Sequence, residues 1–156
     1  MATFGTFVSG QILTAAELNG AGAWQDYTPT WTQSAAITKT VNWARYTQLN
    51  KWVQVQIRMT ATGAGTANNK ILVGLPVNAS TNNYLMGICY YADGGQTGTG
   101  IPVFAVYDSA SAVAFLGTAA NEGDPSVGQM GLTTSGNAIT VASTDVIQVN
   151  LTYEAA

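Results

Sequence analysis

Residues 51 to 60 alternate strictly, with Val53, Val55, Ile57 and Met59 on one side and Trp52, Gln54, Gln56, Arg58 and Thr60 on the other. A period of two with one apolar side is the signature of a β-strand that puts one face into a core and the other outward. Residues 145 to 154 repeat it, with Ile147, Val149, Leu151 and Tyr153 inward and Gln148, Asn150, Thr152 and Glu154 outward. Shorter stretches at 36–40, 42–49, 71–77, 84–92, 101–108, 112–116 and 138–142 are each bounded by Gly, Asn, Asp or Ser, and bring the expected count to about nine strands. Leu49-Asn50-Lys51-Trp52 predicts a tight hairpin, and 62–69 and 93–100 predict longer loops. Many short strands without intervening helices predict an all-β fold, an antiparallel β-sandwich of jelly-roll-like type.

The N-terminal stretch reads differently. Thr14 and Glu17 form a capping box, and Asn19-Gly20 supplies a stop, so one helix of about two turns is expected. A helix that short is marginal alone in water and needs a surface to dock on, with Ile12, Leu13 and Leu18 as contact residues. Phe4, Phe7 and Val8 lie before it as an extended apolar arm. The arm either lies on its own domain or anchors the protein to a larger particle. A Gly- and Ala-rich link over 20–23 leads to the aromatic stretch Trp24 to Trp31, which divides the chain into an arm with its short helix, 1–26, and a β-sandwich domain, 27–156. No internal repeat is visible.

Composition narrows the function. Of 156 residues 47% are hydrophobic and only 8% are charged, five Lys and Arg against eight Asp and Glu, where a soluble domain usually carries about 25%. A net charge of −3 without a basic patch argues against nucleic acid. No apolar run approaches the ~18 residues that span a bilayer, and the first residues lack a basic region and a long apolar stretch, so neither membrane insertion nor a classical secretory leader is expected. The absence of His removes imidazole bases and ligands, and a lone cysteine, Cys89, makes neither an internal disulfide nor a thiolate cage. No cofactor or metal is expected.

The outward positions of the two best strands carry amides and hydroxyls where Lys and Glu usually keep a sheet surface solvated. Part of that surface is therefore expected to lie between identical subunits, with Trp52, Gln54, Gln56, Gln148 and Asn150 as interface candidates. Trp24, Trp31, Trp43, Trp52, Tyr90 and Tyr91 are either packing residues or flat faces for stacking on a sugar or a partner. Gly63-Ala64-Gly65 and Gly98-Thr99-Gly100 open no helix and read as loops, not phosphate cradles. Asn121 to Pro125 reads as an acidic turn with too few donors for calcium. Two carboxylates such as Asp108 and Glu122 could in principle form a glycosidase pair, and nothing in the sequence brings them together. With no leader expected, the sequons at Asn78 and Asn150 are given no weight. Cys89, among Leu85, Met86, Ile88 and Tyr90, reads as a buried, inert thiol.

Residues 7 to 19, Phe7-Val8-Ser9-Gly10-Gln11-Ile12-Leu13-Thr14-Ala15-Ala16-Glu17-Leu18-Asn19, contain a G-x-x-x-T-A-A-x-L-N stretch that resembles the N-terminal signature of tailed-phage virion proteins, especially of actinobacterial phages. Trp24 to Trp31, Ala44 to Lys51 and Val73-Gly74-Leu75-Pro76-Val77 are similar to the small β domains that end phage tail fibres, with Ala44 and Asn50 where that pattern has Gly. The likeness covers most of residues 7–77, and its motifs are structural. It implies a homotrimeric β-sandwich on the outside of a virion, made in the host cytoplasm, held through its arm to phage capsid or tail proteins. The first expectation is a tail-associated, non-enzymatic protein that attaches to the host, with loops 62–69, 93–100 and 119–126 turned toward a partner such as a cell-surface glycan. The second is a capsid decoration protein that stabilises the head shell, and a carbohydrate-active enzyme is a distant third.

Overall fold

Val53, Val55, Ile57 and Met59 are fully buried, and the polar residues between them are not, so the alternation of the sequence is realised in space. The computed structural model describes residues 10, 12, 14, 22–94, 100–118, 127–132 and 138–156. Among the described residues eleven strands follow in chain order: β1 Gln25–Asp26, β2 Trp31–Gln33, β3 Ala35–Ala36, β4 Lys39–Leu49, β5 Trp52–Ala61, β6 Ile71–Gly74, β7 Leu85–Ala92, β8 Gly100–Ser109, β9 Ala112–Thr118, β10 Val127–Gln129 and β11 Val146–Glu154. Every pairing is antiparallel.

The strands form one continuous ladder in the order β1-β4-β5-β11-β7-β8-β9-β6-β2-β3, with β10 on the side of β9, rather than two separate ladders. That order forces the sheet to curl. From β4 to β3 across the ladder is eight strand steps, roughly 38 Å at about 4.8 Å per step. Along the chain the same two strands are joined only by Ile37 and Thr38, a reach of about 11 Å. Across the ladder, the loop after β5 meets β2 where Thr66 N donates to Gln33 O (3.3 Å), while Thr62 N to Thr38 O (2.8 Å) and Gly65 N to Val141 O (2.8 Å) carry the β4–β5 and β5–β11 pairings beyond the strand ends. The concave side is filled by Trp31, Phe115, Ile57, Met59, Ile71, Ile147 and Leu151.

Several strands differ from their expected limits for identifiable reasons. The stretch 36–40 is split, with Ala36 in β3 and Lys39 and Thr40 opening β4, which continues through 42–49 with a bulge between Val41 and Trp43 that absorbs Asn42. Asn42 reads as a breaker, yet its Oδ1 accepts a hydrogen bond from Thr60 Oγ1 across the pair (2.9 Å), and the strand continues. The stretch 71–77 ends as a strand at Gly74, because Leu75 N turns away to Ser111 O and Pro76 has no donor for a ladder. The stretch 138–142 is not a strand. It is pinned by the side chain of Gln33, which takes the place of a neighbouring backbone. The β1, β2, β3 and β10 strands were not expected, being two or three residues long and too short to display a period. The β4–β5 hairpin is present as expected, with Leu49 opposite Trp52 and Asn50 at φ 53°. The sheet already includes Gln25 and Asp26, which lie within the stretch assigned to the arm. The helix expected over 14–20 lies, Thr14 apart, outside the described residues, as do Phe4, Phe7, Val8, Leu13 and Leu18. Ile12 is described and is 87% exposed.

Candidate functional site

The five candidate interface residues come together on the outer face of two adjacent strands. Register sets Gln56 opposite Asn150, Gln54 opposite Thr152, Trp52 opposite Glu154 and Arg58 opposite Gln148. On the other side of β5, Trp43 faces Arg58, Arg45 faces Gln56 and Thr47 faces Gln54. Arg45 donates to Gln56 Oε1 from both Nε (3.2 Å) and Nη2 (2.9 Å), and its guanidinium lies 4.8 Å from the centre of the Trp24 ring. Lys51 and Glu154 approach only to 3.9 Å at an exposed position, a contact that adds little. The convex face of β4, β5 and β11 thus carries amides, hydroxyls and tryptophan edges with Arg45, Arg58 and Glu154 among them.

The six aromatic candidates divide. Trp31 and Tyr91 belong to the core, whereas Trp24, Trp43, Trp52 and Tyr90 are exposed. Of the candidate loops, 62–69 is stapled to the body, since Asn69 O accepts from Gln33 Nε2 (3.1 Å) and Asn69 Nδ2 donates to Ala67 O (2.9 Å). Residues 95–99 and 119–126 lie outside the described residues. Glu122 does too, and Asp108 is engaged by Lys70 Nζ at 2.9 Å. Among the described residues no cluster of three His, Cys, Asp or Glu side chains could hold a metal, and no helix is long and apolar enough to cross a membrane.

Cys89 is buried, and that burial pushes its thiol up to about 11, against the lowering effect of hydrogen bonds with the backbone of Asn150 and Ala105. A thiol held so high stays protonated at neutral pH, and the thiolate is the reactive form. In native protein at pH 8, Cys89 is expected to react with an aromatic disulfide reagent at least about 100-fold more slowly than in denaturant. A native rate equal to the denatured one would show that the site opens readily.

Two polar side chains that sequence reasoning passed over organise the interior. Asp145, 2% exposed, accepts from Tyr91 Oη (2.5 Å), Gly94 N (2.9 Å) and Ala142 N (2.8 Å). Gln33, fully buried, donates to Ile139 O (2.8 Å) and Asn69 O (3.1 Å) and accepts from Val141 N (3.0 Å). Their only sequence signal is an Asp just before a strong strand and a Gln inside an aromatic one.

Burial raises the phenols of Tyr27, Tyr91 and Tyr153 well above their ordinary range, Tyr91 further through its hydrogen bond to Asp145. An unfolded tyrosine ionises near 10 while these stay neutral in the folded chain, so stability is complete below about pH 10 and declines as pH rises beyond it. Thermal melts from about pH 8 to 12 are expected to be level at first and then to fall steeply, with Tyr153→Phe lessening the fall. A flat profile to about pH 12 would mean that the three rings ionise alike in both states.

The outer face of the other half of the sheet breaks the alternation. Phe104 and Leu116 lie between core residues on β8 and β9 and are therefore outward, with Phe104 opposite both Ile88 and Leu116. Tyr90 pairs with Pro102, and Leu85 with Val106. Val106 and Ala114 are buried but stand outside the main core cluster, as expected of outward residues shielded by their neighbours. A bulge at Met86 keeps Leu85 and Ile88 on this face, and Gly87 is required there because a side chain would collide with the Asn150 carbonyl oxygen. The same bulge hides the pattern from a period-two reading.

Compared with known proteins, the chain matches no family model, no curated protein and no solved structure.

Proposed function

We propose that the protein is a non-enzymatic structural component of a bacteriophage virion, displayed on the particle surface as a homotrimer, held by its N-terminal arm, and tail-associated in host attachment. The observation that carries this reading is the outer face of β4, β5 and β11, where Trp52, Gln54, Gln56, Gln148 and Asn150 form one surface rich in amides, bordered by Arg45, Arg58 and Glu154 and suited to burial against protein. The G-x-x-x-T-A-A-x-L-N stretch supports an arm of virion type, with Phe4, Phe7, Val8, Ile12, Leu13 and Leu18 as the anchoring residues. The curled antiparallel sheet suits a sandwich-like, jelly-roll-like shell that presents loops from a rigid body, with a cell-surface glycan as one partner they would meet.

Gold labelling of intact virions with antibody against residues 27–156 tests the placement. Label at the tail end supports attachment. Label spread over the head turns the reading to a capsid decoration protein that stabilises the shell, and deletion of residues 4–19 is then expected to release it. No label on any particle overturns both. Turnover of a wall polysaccharide that is lost in Asp108→Asn would overturn the non-enzymatic assignment.

A further inference from the structure

We propose that the row Trp43–Arg58–Gln148–Tyr90, which crosses four neighbouring strands on the outer face of the sheet, binds a linear saccharide that carries carboxylates. This rests on the reading of the protein as a host-attachment component. It names the class of glycan met and places it on the sheet rather than on the loops.

Register sets the row. Trp43 on β4 stands opposite Arg58 on β5, Arg58 opposite Gln148 on β11, and Gln148 opposite Tyr90 on β7. Residues directly opposite in antiparallel strands share a face. The neighbours of this row along the strands, Ile57, Met59, Ile147, Val149, Cys89 and Tyr91, are buried, so the row itself is outward. From Trp43 to Tyr90 is three strand steps, roughly 14 Å at about 4.8 Å each. An aromatic ring thus stands at each end, Trp43 38% and Tyr90 45% exposed, with a guanidinium and an amide between them. Tyr90 leans over β8: a Cβ on Gly100 would collide with its Cε2, Cζ and Oη, so the glycine makes room for the ring to lie along the sheet. On one side the row is flanked by Thr60, Val146 and Ala92, small residues that stand opposite one another and leave a shallow lane.

Charge selects the occupant. Arg45 is engaged by Gln56 and the Trp24 ring and stands opposite Asp26, and Lys51 lies near Glu154. Among the described residues the Arg58 guanidinium has no hydrogen-bond or ion-pair partner. Its outward neighbours, Trp43, Gln148, Gln56 and Thr60, include no acid. A guanidinium without a counter-ion is complementary to a carboxylate, which it binds through two parallel hydrogen bonds. Rings at both ends take the C–H faces of sugars, and Gln148 both donates to and accepts from hydroxyls. A nucleic acid is disfavoured, because one free Arg in a chain of net charge −3 cannot neutralise a run of phosphates. Area disfavours a folded protein. At about 150–250 Å² for a whole aromatic side chain the two rings leave roughly 150–200 Å² open, against ~800 Å² per partner in a stable interface.

The test is calorimetric titration of the full chain with oligomers of glucuronate, galacturonate, mannuronate and guluronate, each beside a neutral oligosaccharide of the same linkage. At least one oligouronate is expected to bind, and to bind less well as salt is raised. Arg58→Gln is expected to weaken that binding about 10-fold or more and to leave any binding of the neutral counterpart within about twofold. Trp43→Ala is expected to weaken both by about threefold to 10-fold. Lys51→Gln removes the same charge at the β4–β5 turn and is expected to stay within about twofold. Arg58 is exposed, so its variant tests the site even where Trp43→Ala does not fold. Binding of no oligouronate, or oligouronate binding untouched by Arg58→Gln, overturns the site and leaves the virion reading to the gold label. Binding that depends on Arg58, with no label on any particle, overturns the virion reading and leaves the site standing. An oligomer in sedimentation that Arg58→Gln dissociates assigns the row to a subunit contact and overturns the saccharide site.

Discussion

Asp145→Ala is expected to lower the free energy of unfolding by about 3–5 kcal/mol, the larger part of the stability of an ordinary domain. The carboxylate is buried and accepts three hydrogen bonds, from Tyr91 Oη, Gly94 N and Ala142 N. Alanine leaves all three donors without an acceptor, and each orphaned donor costs about 1–3 kcal/mol, partly offset because a carboxylate no longer has to leave water. The effect is also topological. Asp145 closes the turn into β11 and at the same time holds the end of β7 through Gly94, so one side chain sets where two neighbouring strands begin and end. Chemical denaturation measures it directly. Tyr91→Phe, which leaves two amide donors on the carboxylate, is expected to cost only about 1–1.5 kcal/mol. An Asp145→Ala loss no greater than that of Tyr91→Phe would mean that water or a shift of the loop replaces the lost acceptor.

Gln33→Leu is expected to cost about 2–4 kcal/mol although it conserves volume. The amide of Gln33 uses both donors and its oxygen on the backbone of Asn69, Ile139 and Val141, and thereby ties the segment before β11 to β2 and to the loop after β5. Leucine strands one N–H and two carbonyls in the interior. Gln33→Glu is expected to be worse, since a carboxylate would face two carbonyl oxygens. Hydrogen exchange locates the damage: the amides of Val141 and Gly65, which bond to Gln33 and to Val141 O respectively, should lose protection first. Unchanged protection at both would separate Gln33 from the closure of the sheet.

The long, regular parts of the fold were legible. In β5 and β11 the inward residues are the core and the outward ones the amide face, because a period of two over nine or ten residues has one reading. The hairpin at Asn50 was legible for the same local reason. Order across the sheet was not, since no residue of β11 signals that its neighbours are β5 and β7 rather than β9 or β10. Gln33 and Asp145 were missed because their burial depends on partners far away in sequence, Val141 and Tyr91, which local pattern does not reveal. The apolar outer face was missed for another reason: the bulge at Met86 and the shielded Val106 and Ala114 make β7 to β9 look like ordinary buried strands. Of the candidate site, the five residues on β5 and β11 were placed on one face by alternation alone, while their contact with Arg45 and Trp43 required the register of β4.

The position of β11 in the ladder bears on how the protein is made. Among the described residues it is the last strand in chain order, yet it lies inside the sheet, between β5 and β7. While a ribosome is still extending the chain, β4–β5 on one side and β7–β8–β9 on the other have no strand to join them, and their apolar faces stay open. Folding therefore waits for residues 146–154 to emerge, and the growing chain passes through a stage in which half-built sheets are exposed to one another on the polysome. A ribosome stalled before Val146 would display β5 and β7 with facing edges still unpaired, a natural substrate for chaperones and a point where neighbouring nascent copies can mispair.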